Sequence, residues 1–529
     1  MKHFRTSMLD LFGCLLLFTF SCQFKEKEAV ATVPVRVPIQ EFVPQTFDSS
    51  LVAPFFVKYP KFSFLKREVL QLYRKRHYQH LWYDRKGLNE FAKLLYDKAN
   101  NLDQEGLHIE IPYKERISDL LAKSDNSDKQ NLEAELFMSS LYFFYADKVY
   151  KGIDAEKSTE LGWYLPRNKQ SFETRLDSLL LDPKRINSPD KDVLDQYYLL
   201  KTALQKYRTI EKKGGWDAIA IPDNMKTLRL GDSSEVIPEV RKRLVVTGEL
   251  TTDSKSTTFD SELMAGLYKY KEHIGISPDS ILTSKNIQIM NIPVSERIKT
   301  IMVNMERCRW FSPSLTKSKQ FIVVNIPSFT LTYFKDGKPA LVSKVVVGKE
   351  LNETVVFSGD MNQIVFSPYW NVPPSILKNE ILPAIAKNSN YLEENDMEWY
   401  KDRVRQKPGP KNALGLVKFL FPNSHTIYMH DTPSKTLFNR DSRSFSHGCI
   451  RVARPRDLAI MILKDDPKWP VEKIDEAMNA GKEKAYTLKK RIPVFIGYFT
   501  AWVGSDGEIS FYNDIYNRDE RLAELLLSN

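Results

Sequence analysis

The chain has 529 residues, 42% of them hydrophobic and 27% charged. That is room for several folded domains and too polar for a multi-span membrane protein. The net charge of +10 is spread along the length with no basic tail or tight Lys/Arg run, so nothing points to a nucleic-acid partner.

Lys2 and Arg5 precede an apolar run from Leu11 to Phe20. It is too short to span a bilayer comfortably and has the length of a secretory-signal core. It ends in Thr19-Phe20-Ser21-Cys22. A small residue before a cysteine, just past the apolar core, resembles the lipoprotein signal, in which that cysteine is lipidated. An uncleaved anchor and ordinary cleavage are the alternatives, and all three place the chain in the envelope or periplasm. Residues 1–22 are therefore expected to be an export signal that anchors the chain to a membrane. Residues 23–58, with Pro34, Pro38 and Pro44 among valines, are expected to be an extended tether.

Helical spacing dominates 59–215, in Phe64 to Tyr73, Leu88 to Ala99, Asn131 to Val149 and Asp192 to Tyr207. The aromatics there read as core, and His77, His80 and His108 have no partners at ligand spacing. Residues 225–285 form a second unit. It opens on a Leu228-Arg229-Leu230-Gly231-Asp232 turn and continues with helices at Val236 to Val246 and Leu263 to Ile274. This unit resembles the small helical peptidoglycan-binding module, with Arg243 where a glutamine is usual. A generic helical hairpin is the alternative.

From Gln320 the period becomes that of strands: Phe321 to Ile326, Phe329 to Phe334, an Asp336-Gly337 hairpin turn, then Ala340 to Val347. Val355 to Phe357, Gln363 to Phe366, Leu416 to Phe421 and Thr426 to Met429 continue the sheet. A ladder of Val494 to Val503 and Glu508 to Tyr512 closes it. Between about 375 and 415 lies a polar, helix-like insertion containing Leu377 to Ile385 and Tyr391 to Tyr400, long enough to cap a site. The fold class is α+β and multidomain: a helical scaffold, the small helical module, and a mainly β domain over 319–515 with a helical capping insertion.

Four cysteines occur, and Cys14 and Cys22 belong to the export signal, leaving Cys308 and Cys449. His430 ends an apolar strand, and Ser446-His447-Gly448-Cys449-Ile450-Arg451 follows after a polar loop. A thiol near neutral pH needs a base or a positive environment to become a nucleophile. A histidine at a strand end supplies the base, and a glycine permits a tight turn whose N–H groups can face an oxyanion. His447 and Arg451 would add positive potential. The alternatives are a zinc site from His430, His447 and Cys449, a disulfide between Cys449 and Cys308, and an inert buried thiol.

This pattern, a histidine, a loop, then Ser/Thr-His-Gly-Cys, resembles the L,D-transpeptidase (YkuD-type) catalytic domain in its long multidomain periplasmic form. His430-Asp431-Thr432-Pro433, Tyr369-Trp370-Asn371-Val372-Pro373-Pro374 and Tyr498-Phe499-Thr500-Ala501-Trp502 extend the likeness. The resemblance implies that Cys449 attacks the diaminopimelate carbonyl of a tetrapeptide stem in peptidoglycan, with His430 as base and acid. It implies backbone N–H groups of Gly448 and Cys449 on the oxyanion, and His447 and Ser446 around the thiolate. Arg451, Tyr428, Trp370 and Asn371 would meet the substrate. It implies a thioester resolved by an amine of a second stem, acylation by carbapenems, and no metal or organic cofactor. A hydrolase of the same fold and a non-catalytic wall-binding lipoprotein remain as other functions.

Overall fold

The computed structural model describes residues 44–527 apart from 125–129, 168–170, 191–192 and 312–316. The expected signal, Cys14, Cys22 and the tether up to residue 43 lie outside the described residues. Among those described, no helix is long and apolar enough to cross a membrane.

The expected tether is too long. Val52–Lys58 is a helix because Val52, Phe55 and Phe56 fall on one face and are buried, with Phe55 edge-on to Phe137 at 5.1 Å. Pro54 sits in the first turn, where a missing N–H costs little. The helix Leu132–Ala146 runs through the centre of this region, capped by Asn131, whose side chain accepts from the Glu133 and Ala134 N–H groups. It is apolar all round because it is buried all round. Its one buried acid, Glu135, accepts from the Tyr73 hydroxyl at 2.6 Å and the Leu81 N–H at 2.7 Å. His80 joins that network through Glu135 at 3.3 Å, while His77 and His108 are exposed.

The small unit has three helices, Ile237–Thr247, Ser261–His273 and Ser284–Met290, around its own core of Val240, Leu244, Leu263, Leu267 and Ile287. Arg243 is buried there, stacked over Trp216 at 4.8 Å and donating to the Asp217 carbonyl at 2.6 Å.

Ten strands make one sheet. Its order is Val417–Leu420, Met429–His430, Ile450–Val452, Lys338–Gly348, Thr330–Lys335, Gln320–Asn325, Lys484–Gly497 and Val356–Phe366. The last of these pairs back onto Val417–Leu420, so the sheet closes on itself. The Asp336-Gly337 turn takes positive φ at both residues, 50° and 76°, as a two-residue hairpin of this hand requires. Two further strands attach: Ser444–Ser446 alongside Lys338–Gly348, and Trp163–Tyr164, from the helical region, parallel to Val356–Phe366. Trp163 meets Trp310 and Phe499 edge-on at 5.2 and 5.8 Å, within a core shared by the helical region and the sheet.

Two strand expectations are corrected. The closing ladder is broken at Tyr498–Thr500: Lys484–Gly497 belongs to the main sheet, and Ala501–Val503 pairs separately with Ile509–Phe511. Asn325 and Asn304 side chains take the backbone groups there, accepting from the Phe499 N–H at 2.8 Å and the Thr500 N–H at 2.9 Å. In the cap, Tyr391–Glu394 is helical, but Met397–Tyr400 is a strand that turns back into Arg403–Gln406 and then meets Trp370–Asn371. Asp396 takes a positive φ of 53° between the helix and the strand, and Met397 and Val404 point into a small core with Val372, Ile376 and Ile381.

Candidate active site

His430 and Arg451 are partners in the parallel ladder between Met429–His430 and Ile450–Val452. The Ile450 N–H donates to the Tyr428 carbonyl at 3.1 Å, which extends the pairing one residue back. Side chains alternate along strands, so Tyr428, His430, Cys449 and Arg451 share one face. Met429 and Ile450 point the other way and are fully buried.

His430 is buried, and its Nδ1 lies 2.5 Å from the Asp431 carbonyl oxygen. Nδ1–H therefore donates, and the lone pair is left on Nε2. Burial, with Arg451 and then Lys418 nearby, pulls the imidazole down to about 3, so it is neutral at physiological pH. Asp431 anchors the strand end. Its carboxylate accepts from the Leu416 N–H at 2.9 Å and the Thr432 N–H at 2.7 Å, and pairs with Lys435. Gly415 lets this happen, because a Cβ there would fall 2.4 Å from the carboxylate.

Cys449 is half-buried and unpaired, and so is the fully buried Cys308 in the helix Val294–Trp310. No disulfide joins them. The Cys449 thiol points at the Thr426 carbonyl at 3.9 Å. No hydrogen bond links it to His430. Burial raises its pKa, opposed first by hydrogen bonding with Tyr428 and then by the Arg451 charge. The expected positive environment is thus present in Arg451 but outweighed, and the resting thiol is neutral. Arg451 itself is pulled down by burial, and its Nε is buried without a hydrogen-bond partner. Among the described residues no three His, Cys, Asp or Glu side chains converge so as to hold a metal ion.

The turn before the cysteine departs from expectation. Gly448 takes φ 106°, which only glycine adopts without strain. Its N–H, expected at the oxyanion, donates instead to Ser446 Oγ at 3.2 Å. Ser446 Oγ in turn donates to the Cys449 carbonyl at 2.6 Å, so Ser446 shapes the loop rather than the thiol. The Cys449 N–H makes no hydrogen bond among the described residues. His447 is exposed and turned to the cap, with Nε2 2.9 Å from Glu380 Oε1. Trp370 and Asn371 lie in the cap's small sheet, paired with Gln406 and Arg405. Sequence reasoning missed Glu380, Asp431 and Lys418 as neighbours of the site. Only Asp431, inside the His-Asp-Thr-Pro block, carried a local signal.

Residues 319–472 match the family described as the YkuD L,D-transpeptidase catalytic domain, and residues 67–204 match a scaffold domain. A curated relative from Haemophilus influenzae, named "Putative L,D-transpeptidase", is 31% identical over 285 residues, which is 50% of this chain and 55% of the relative. The chain thus spans about half the length of that relative. Solved structures also match. An L,D-transpeptidase from Stackebrandtia nassauensis is 14% identical, covering 53% of this chain and 98% of that one, at a TM-score of 0.24. Another from Mycobacterium smegmatis is 13% identical, covering 34% and 58%, at a TM-score of 0.20. Overlaps that low add no weight to the family match. Residues 319–472 are thus similar to an L,D-transpeptidase catalytic domain, and the region before them, 67–204, to a scaffold domain.

Proposed function

We propose that the protein is a peptidoglycan L,D-transpeptidase that works through a thioester on Cys449 and links diaminopimelate residues of two stems directly. The observation that carries this reading is the shared strand face. Cys449, His430 with a free Nε2 and Arg451 with an unpartnered Nε all lie on one side of the ladder.

On this reading the thiol leaves the Thr426 carbonyl and passes its proton to His430 Nε2 as sulfur bonds to the stem carbonyl carbon. The carbonyl oxygen becomes an oxyanion that accepts from the Cys449 N–H. Collapse breaks the carbon–nitrogen bond, and the terminal D-alanine leaves with the proton from His430. An acceptor amine then attacks the thioester and gives a proton to His430, which returns it to the departing sulfur. The Arg451 guanidinium supplies positive charge for a stem carboxylate. The same acyl chemistry supports reaction with carbapenems. An anchored envelope protein fits the apolar N-terminal run and Cys22.

Hydrolysis on the same fold is the second reading, because water can replace the amine. Purified protein is incubated with a disaccharide tetrapeptide and products are read by mass spectrometry. Crosslinked dimers are expected; tripeptide alone would favour the hydrolase. Cys449→Ala is expected to give neither. A turnover that persists in Cys449→Ala, or that stops with a chelator, would sink the thioester reading.

A further inference from the structure

The loop Val347 to Thr354 forms a seat under the cysteine turn. Val347 and Lys349 N–H groups donate to the Arg443 and Ser446 carbonyls at 2.9 and 3.0 Å. Gly348 permits no side chain, since a Cβ would lie 2.0 Å from the Asn352 carbonyl oxygen. Thr354 is fully buried at the end of this loop. Its hydroxyl donates to the Gly448 carbonyl at 2.8 Å and accepts from the Gly348 N–H at 2.9 Å. The Tyr516 hydroxyl locks the arrangement, donating to the Gly348 carbonyl at 2.7 Å and accepting from the Thr354 N–H at 3.2 Å. Burial raises the Tyr516 pKa, so that hydroxyl stays protonated.

The Gly448 carbonyl and the Cys449 N–H belong to one planar trans peptide and point in opposite directions. Tying the carbonyl inward therefore aims the N–H outward. That N–H is the donor left free at the turn, because the Gly448 N–H is spent on Ser446. With φ of 106° at Gly448, the plane has no side chain of its own to hold it. We propose that Thr354, braced by Tyr516, is the positioning residue that orients the Cys449 N–H as oxyanion donor. The proposal rests on Cys449 being the acylated nucleophile.

Intact-protein mass spectrometry tests it by two rates on the full chain. One is acylation by a carbapenem, in which sulfur bonds to the lactam carbonyl, the lactam carbon–nitrogen bond breaks and the thiol proton goes to that nitrogen. The other is alkylation by iodoacetamide, in which the thiolate sulfur displaces iodide from a saturated carbon and no oxyanion forms. Thr354→Val is expected to slow acylation on the order of 100-fold and leave alkylation within about threefold of wild type. Thr354→Ser is expected to recover most of the acylation rate. Wild-type acylation by Thr354→Val, or alkylation falling in step with acylation, overturns the proposal. If Thr354→Val does not fold, Tyr516→Phe reads the same brace: a several-fold loss of acylation alone is expected, and no loss overturns it. A wild-type protein that alkylates but is never acylated at Cys449 removes the nucleophile reading itself, and this inference with it.

Discussion

Two neutral groups lie diagonally on one face of the strand ladder, and burial favours the neutral form of each. Cys449 sits above the ordinary thiol range, and His430 lies near 3 against an ordinary 6.5. On the proposed reading the thiolate is therefore made by base-assisted transfer when substrate arrives, not stored. Iodoacetamide alkylation of Cys449 is expected to climb about tenfold per pH unit from pH 6 to 8, with no inflexion from His430 titrating near 6.5. A plateau in that range would show a stored thiolate. His430 also sets a stability slope. Between pH 6.5 and about 3 the unfolded chain binds a proton that the folded imidazole refuses. Stability is then fully present above 6.5 and falls as acid is added. Denaturant midpoints at pH 7 and 4.5 are expected to separate more in wild type than in His430→Gln. How far the site could be read from residues alone follows from sequence distance. The placement of His430, Gly448 and Cys449 around one strand end is legible because strand, turn and motif are local. Thr354 and Tyr516 reach the turn and its seat across 94 and 168 positions, with no pattern of their own. The Gly448 N–H is taken by a serine two residues back, a local bond that spacing does not reveal.

At the scale of the element, the cap meets the cysteine turn through Glu380 and His447. Glu380 lies on the π-helical turn Leu377–Ile381, an irregularity of the kind found where a helix is bent to a purpose. The pair is solvent-exposed, so it is worth at most about 1 kcal/mol and can open readily. Glu380→Ala is expected to leave thermal stability nearly unchanged while raising the ratio of hydrolysed tripeptide to crosslinked dimer, because an untied cap admits water. An unchanged product ratio would separate the cap from acceptor choice. The insertion itself was visible as a polar interruption of the strand period. Its hairpin was not, because Tyr391 to Tyr400 has helical spacing until the Asp396 turn reverses the chain.

Across the whole molecule, the scaffold and the catalytic sheet share one core. Trp163–Tyr164 adds a strand to Val356–Phe366, and the helix Val294–Trp310 brings Glu306 and Arg309 into a fully buried ion pair. Glu306 also accepts from the Ile153 N–H at 2.6 Å and Trp310 Nε1 at 2.8 Å. Trp163→Ala is expected to cost about 3–5 kcal/mol in denaturant titration and to shift scaffold and catalytic probes together. Separate transitions would show two independent cores. Composition and periodicity pointed to a row of separable units because a strand of two residues carries no periodic signal, and a core assembled from distant segments has no sequence signature at all. The Trp163–Tyr164 strand also bears on inheritance. A recombination event that joined this catalytic region to a foreign N-terminal half would strip a strand from its sheet and bare the tryptophan's partners. Scaffold and catalytic region must therefore descend together.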